Sequence, residues 1–138
     1  MKIRSFLFPK NKIGSGWASF GILVVRVGFA AMLMTHGWAK LRNFDQLAAG
    51  GFPDPIGLGS TVAVCLAIFA ELACSAAVVL GFLQRLALIP MIVTMAVAFV
   101  AIHGCSISEG ETALLYLIVF ITLYITGPGR ISLDHLLS

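Results

Sequence analysis

Four long apolar segments constrain this chain more than any other feature. They span about residues 17–38, 61–82, 86–102 and 108–126, and each is close to the roughly 20 residues that an α-helix needs to cross a bilayer. Only 11% of the 138 residues are charged, against roughly 25% in ordinary globular proteins, so a soluble domain is not expected. The sequence predicts an all-α fold, an integral membrane four-helix bundle.

The residues that flank these segments fix their ends. Trp17 and Trp38 bracket the first one, as expected for indoles at the two headgroup regions. Arg85 lies in the short turn between the second and third, so these two are expected to form an antiparallel hairpin. Residues 1–16 form a basic N-terminal tail, and residues 127–138 form a C-terminal tail. The second tail opens with a motif that cannot continue a helix: Gly127, Pro128, Gly129 and Arg130.

The distribution of charge predicts the orientation. One side of the membrane carries many basic residues but only one acidic residue, Asp134, and basic loops favour the cytoplasm. We therefore expect both termini inside. No basic run interleaved with aromatic residues occurs, so nucleic-acid binding is not expected. The basic residues on the expected inner side are Lys2, Arg4, Lys10, Lys12, Arg85 and Arg130.

Two opposite charges lie in the middle of apolar segments, Arg26 in the first and Glu71 in the second. An ionised group at the bilayer centre costs at least about 2.5 kcal/mol, so such residues face the bundle interior or pair with one another. Their similar depth, counted from the inner ends of their helices, predicts a buried ion pair. The interpretation that we favour is structural; the alternative is that the pair forms the floor of a ligand pocket or carries protons.

A second polar group is expected near the outer face. His36 and Lys40 end the first segment, His103 ends the third, and Glu109 and Glu111 begin the fourth. These side chains either line a small outer pocket or simply reach the wet membrane boundary.

Several kinds of centre are not favoured. The histidines lack the spacing typical of metal or haem sites, so a metal is not predicted and haem is disfavoured. Cys65, Cys74 and Cys105 form no CxxC motif. Tyr116, Phe120 and Tyr124 recur at four-residue spacing, which indicates either a packing ridge or a stacking surface for a flat ring such as a quinone.

Three stretches of the chain together resemble the DoxX family. They are LVVRVGFAAMLMTHGWAKL at 23–41, AELACSAAVVLGFLQRLA at 70–87, and GETALLYLIVFITLYITGPGRISLD at 110–134. The resemblance implies a four-helix protein of the bacterial cytoplasmic membrane. It assigns no chemical role to the residues that match the family motifs: Arg26, His36, Lys40, Glu71, Arg85, Glu111, Arg130 and Asp134.

The resemblance also implies a function in redox chemistry. The first hypothesis is a subunit or partner of a quinone-linked system that handles sulfur compounds or oxidants, with a quinone as candidate ligand and soluble redox proteins as candidate partners. The second is a noncatalytic membrane anchor or assembly factor, and a small-molecule carrier is a third and less favoured one. All three leave homo-oligomers open, and whether the chain is itself an enzyme stays undecided.

Overall fold

The computed structural model describes residues 2–8 and 15–138, and its regular structure there is helical throughout. Four helices are long and apolar enough to cross a membrane, which confirms the predicted all-α membrane fold. Lys10 and Lys12 lie outside the described residues. The helices are α1 (Lys2–Leu7), α2 (Gly16–Arg42), α3 (Ser60–Leu80), α4 (Gln84–Ile102), α5 (Ile107–Thr126) and α6 (Leu133–Leu137). Two short helical turns, Phe44–Gln46 and Leu47–Gly51, lie between α2 and α3.

Consecutive long helices run in opposite directions. Gly37 near the end of α2 packs against the backbone of Glu71, whereas Arg26 in the middle of α2 reaches the carbonyl of Val79 near the end of α3. We call the end of the bundle where α2 begins the terminal end; it also holds the turn at 81–83 and residues 127–138. The opposite end, with the connections 43–59 and 103–106, is the loop end.

The helix ends have local causes. α2 continues to Arg42, four residues beyond the predicted end at Trp38, and the Asn43 amide bonds to the carbonyls of Ala39 and Leu41 there. α3 ends because Gly81 adopts a left-handed conformation with φ 64° and ψ 38°. The amides of Gly81 and Phe82 then bond to the carbonyls of Val78 and Ala77, a pattern that satisfies the last turn of the helix.

Wider π-helical turns interrupt α3 in its middle and end α4 at the loop end. Phe69–Cys74 forms one inside α3, and Ala98–Ile102 forms another at the end of α4. π-Turns are rare and frequently occur at functional sites. The turn in α3 carries Glu71, and both turns border the same groove, which is described below.

The outside of the bundle is apolar and its interior contains polar groups. Leu33, Val78, Leu88 and Phe120 meet in the core between α2, α3, α4 and α5. Many large apolar side chains are exposed on the outer faces, where they contact the lipid bilayer. The buried polar side chains are Ser19, Arg26, Glu71, Ser75, Gln84, Ser132 and Asp134.

Candidate functional site

The structure does not bring Arg26 and Glu71 together, which corrects the predicted ion pair. The Arg26 guanidinium bonds at the terminal end, and the Glu71 carboxylate bonds towards the loop end. The cause is helix geometry: side chains lean towards the N-terminus of their own helix. Because α2 and α3 are antiparallel, this lean carries the two charges in opposite directions.

The two terminal nitrogens of the Arg26 guanidinium donate to main-chain oxygens, whereas its buried Nε has no hydrogen-bond partner among the residues that the structure describes. Its Nη1 donates to the Pro128 carbonyl at 2.5 Å, and its Nη2 donates to the carbonyls of Ile131 at 2.8 Å and Val79 at 3.5 Å. The side chain is only 1% exposed. Arg26 therefore fastens the predicted C-terminal tail to the bundle, so that residues 127–134 are part of the fold.

Asp134 completes this terminal-end cluster. Its two carboxylate oxygens accept the amides of Leu83 at 2.7 Å and Gln84 at 2.9 Å, and so they cap the start of α4. Burial raises the pKa of the Asp134 carboxyl above its usual value, although these two amides and the charge of Arg26 act in the opposite direction. The cluster holds helix ends together, and neither of the two cavities described below borders it.

Close approach at the terminal end requires glycine. A Cβ on Gly81 would lie 2.5 Å from the Ser132 Cβ and 2.7 Å from Arg26 Nη1. Within the GPGR motif, Gly127 and Gly129 have φ values of 83° and 78°, whereas the side chain of Arg130 is exposed. The motif thus supplies backbone shape and carbonyl groups.

Arg85, the remaining basic residue of the family motifs at this end, lies over the ring of Tyr124. The guanidinium carbon is 5.7 Å from the ring centroid, a cation–π contact between α4 and α5. Tyr124, one residue of the predicted aromatic stripe, is therefore a packing residue.

The loop end contains the ion pair that the sequence did not predict. Lys40 Nζ lies 2.6 Å from Glu71 Oε2, and Glu71 is only 4% exposed. Gly37, one turn before Lys40, allows this approach, because a Cβ there would lie 2.9 Å from the Glu71 carbonyl carbon. α2 and α3 therefore touch closely enough for a lysine near the helix end to reach a carboxylate in mid-span.

Lys40 and Glu71 lie on the wall of an apolar groove of about 420 Å³ between α3 and α4. The connection at 52–58 covers one end of the groove, and Thr94 and Asp54 are its other polar residues. Leu66, Phe69 and Val93 are exposed at the outer surface, so the groove borders the bilayer. The remaining lining residues are Phe52, Pro53, Pro55, Ile56, Leu58, Ala63, Ala67, Pro90, Val97, Ala98 and Ile102.

A second, more open cleft of about 440 Å³ lies on the other side of Lys40. It is lined by the end of α2 and the first part of the 43–59 connection, with His36, Asn43 and Gln46 as polar residues. Lys40 borders both spaces. The lysine therefore links the apolar groove to a polar cleft at the loop end.

Of the five residues of the predicted outer pocket, the structure brings His36 and Lys40 to one cleft and leaves the other three outside it. Lys40 joins Glu71, and His36 contacts the edge of the Tyr116 ring at 6.2 Å between centroids. His103 packs beside Gly110, and neither His103 nor the two glutamates line the groove or the cleft. The side chains of Glu109 and Glu111 are exposed in the first turns of α5.

The rest of the aromatic stripe belongs to the packed interior. Tyr116 stacks on Phe120 at 5.6 Å and meets the edge of Phe29 at 5.8 Å. Neither Tyr116 nor Phe120 lines the groove, so a ring bound there would not stack on this stripe. Among residues 2–8 and 15–138, no three His, Cys, Asp or Glu side chains lie close enough to hold a metal.

Sequence reasoning missed the groove itself. Its walls are ordinary apolar residues, and its cover is a loop in which Asp54 accepts the amides of Leu58 and Gly59. Pro90, which lines the groove inside α4, is the one local signal that could have marked it, because proline disturbs a helix interior.

The chain is similar to several bacterial proteins. The family model described as DoxX matches residues 21–104. The inner membrane protein YqjF of Escherichia coli is 30% identical over 132 residues, which cover 86% of this chain and 92% of that protein. The uncharacterized membrane protein Rv3486 of Mycobacterium tuberculosis is 29% identical over 133 residues, which cover 85% and 81%. No solved structure gives a significant match to this chain.

Proposed function

This chain belongs to the DoxX family and is a multi-pass protein of the bacterial inner membrane, and from that premise we propose that it binds a quinone as a subunit or partner of a quinone-linked redox system. The observation that carries this proposal is the apolar groove between α3 and α4, with Lys40 and Glu71 on its wall.

The groove has the size and chemistry that a quinone head requires. Small-molecule sites usually measure about 300–1,000 Å³ and combine apolar walls with a few polar groups. Here the Lys40 ammonium supplies donors for a ring oxygen, Glu71 supplies an acceptor, and the remaining wall is almost wholly apolar. These features support a flat ring with polar oxygens more than a strongly charged substrate.

Access from the bilayer supports the same ligand. Leu66, Phe69 and Val93 line the groove and are also exposed on the lipid-facing surface. A ligand with a long apolar tail can leave that tail among the lipid chains while its head lies near Lys40.

Filling the groove tests the proposal. Val93→Trp places an indole in the groove, and we expect it to weaken the binding of a short-chain ubiquinone analogue at least tenfold, because the indole and the ring compete for one space. Val24→Trp is the matched control. Val24 on α2 is 55% exposed and Val93 is 54% exposed, but only Val93 lines the groove.

Binding is measured by partition of the analogue between protein-loaded and empty nanodiscs. Equal affinity of the native protein and the Val93→Trp variant would contradict the groove as the binding site. If the native protein binds no quinone at all, the proposal fails, and the noncatalytic anchor and the less favoured small-molecule carrier remain.

We also propose that the terminal end faces the cytoplasm, as the distribution of basic residues predicts. The exposed Cys105 in the 103–106 connection should then react with a membrane-impermeant maleimide in cells with a permeabilised outer membrane. A Cys105→Ser variant should lose this labelling. Labelling that appears only after the inner membrane is broken would contradict this orientation.

A further inference from the structure

The Glu71 carboxylate uses only one of its two oxygens within the protein. Oε2 accepts from Lys40 at 2.6 Å, and no other side-chain or backbone donor within residues 2–8 and 15–138 bonds to Oε1. The residue is 96% buried, since its exposure is 4%, and it lines the apolar groove. Oε1 itself is not fully enclosed, so a donor from a molecule bound in the groove can reach this oxygen and stabilise it.

Other groups in the groove do not compete for this role. Both oxygens of Asp54 already accept backbone amides, from Leu58 at 2.9 Å and Gly59 at 2.6 Å. Thr94 carries a hydroxyl, which both donates and accepts and therefore does not discriminate between donors and acceptors on a ligand. Glu71 Oε1 is thus the acceptor that selects among ligands.

We propose that the groove selects the reduced, hydroxyl-bearing form of its ligand, a quinol, over the oxidised quinone. This inference rests on the proposed function. A quinol hydroxyl donates to Glu71 Oε1, whereas a quinone carries only carbonyl acceptors and would place one against a carboxylate. The neighbouring Lys40 can donate to a ring oxygen of either form. The difference between the two forms therefore comes from the carboxylate.

Three probes distinguish the effect of the ligand's hydroxyl donor from the effects of ring shape and redox state. They are a short-chain ubiquinone analogue, the same compound reduced to its quinol under anaerobic conditions, and the dimethyl ether of that quinol, which keeps the ring but has no hydroxyl on it. We expect the quinol to bind the native protein about tenfold more tightly than the quinone, because one hydrogen bond to a charged group contributes about a factor of ten in affinity. The ether should bind no better than the quinone.

The Glu71→Gln variant provides the second comparison. A glutamine amide can donate to a carbonyl as well as accept from a hydroxyl, so the quinol-to-quinone ratio should fall from about ten to about one. The ether comparison on the native protein does not depend on the folding of this variant.

The outcomes distinguish the inference from the function on which it rests. Failure of every probe to bind would overturn the quinone-binding function and this inference together. Binding of quinone and quinol with equal affinity would overturn only the selection of the reduced form. An ether that binds as tightly as the quinol, or an unchanged ratio in Glu71→Gln, would also overturn it.

Discussion

Replacing Arg26 with leucine should destabilise the protein by about 4 kcal/mol and release residues 127–134 from the bundle. The substitution leaves the carbonyls of Pro128 and Ile131 without donors, and it removes the positive charge that acts on the buried Asp134. Losing one partner of a buried charge cluster costs about 3–5 kcal/mol. The measurement is thermal unfolding in detergent together with limited proteolysis of the C-terminal segment.

Arg130→Leu is the control for this experiment. Its side chain is exposed at the same end of the bundle, so removing its charge should change stability by less than about 0.5 kcal/mol. The stability of Arg26→Lys should fall between the stabilities of Arg26→Leu and Arg130→Leu, because an ammonium cannot reach two carbonyls with the fork geometry of a guanidinium. A protease-resistant C-terminal segment in Arg26→Leu would show that the guanidinium does not hold this segment.

Replacing Lys40 with methionine should destabilise the protein by about 3 kcal/mol, since it leaves the buried Glu71 carboxylate unpaired. Because methionine keeps most of the length and volume of lysine, the lost stability reflects the missing charge more than a change in packing. Thermal unfolding of the purified variant measures it. Arg42→Met removes an exposed positive charge from the same helix and should have little effect.

A double variant tests whether the loss comes from the pair. Adding Glu71→Met to Lys40→Met removes both charges, and we expect most of the lost stability to return, because an apolar pair of similar volume can replace a buried ion pair. If the double variant is less stable than Lys40→Met alone, Glu71 contributes through contacts other than this lysine. A Lys40→Met variant as stable as the native protein would show that the Glu71 carboxylate does not need Lys40 as its partner.

Sequence could predict that two charges are buried, but it could not predict the partners of either one. The burial of Arg26 and Glu71 followed from the cost of leaving a charge among lipid chains, and both are buried. Their partners did not follow, because residue counting gives depth but ignores the direction in which a side chain leans. The acceptors of Arg26 are carbonyl groups, which every residue carries and no motif marks.

By itself, the sequence determined the number of spans, their approximate ends and the need to bury two charges, because helix length and hydrophobicity are local properties of the chain. Only the tertiary structure decided that Lys40 pairs with Glu71, that Arg26 binds residues 127–131, and that an apolar groove opens between α3 and α4. These features depend on antiparallel packing, on π-turns and on a folded connection that brings distant segments together, and so they arise only when the helices meet.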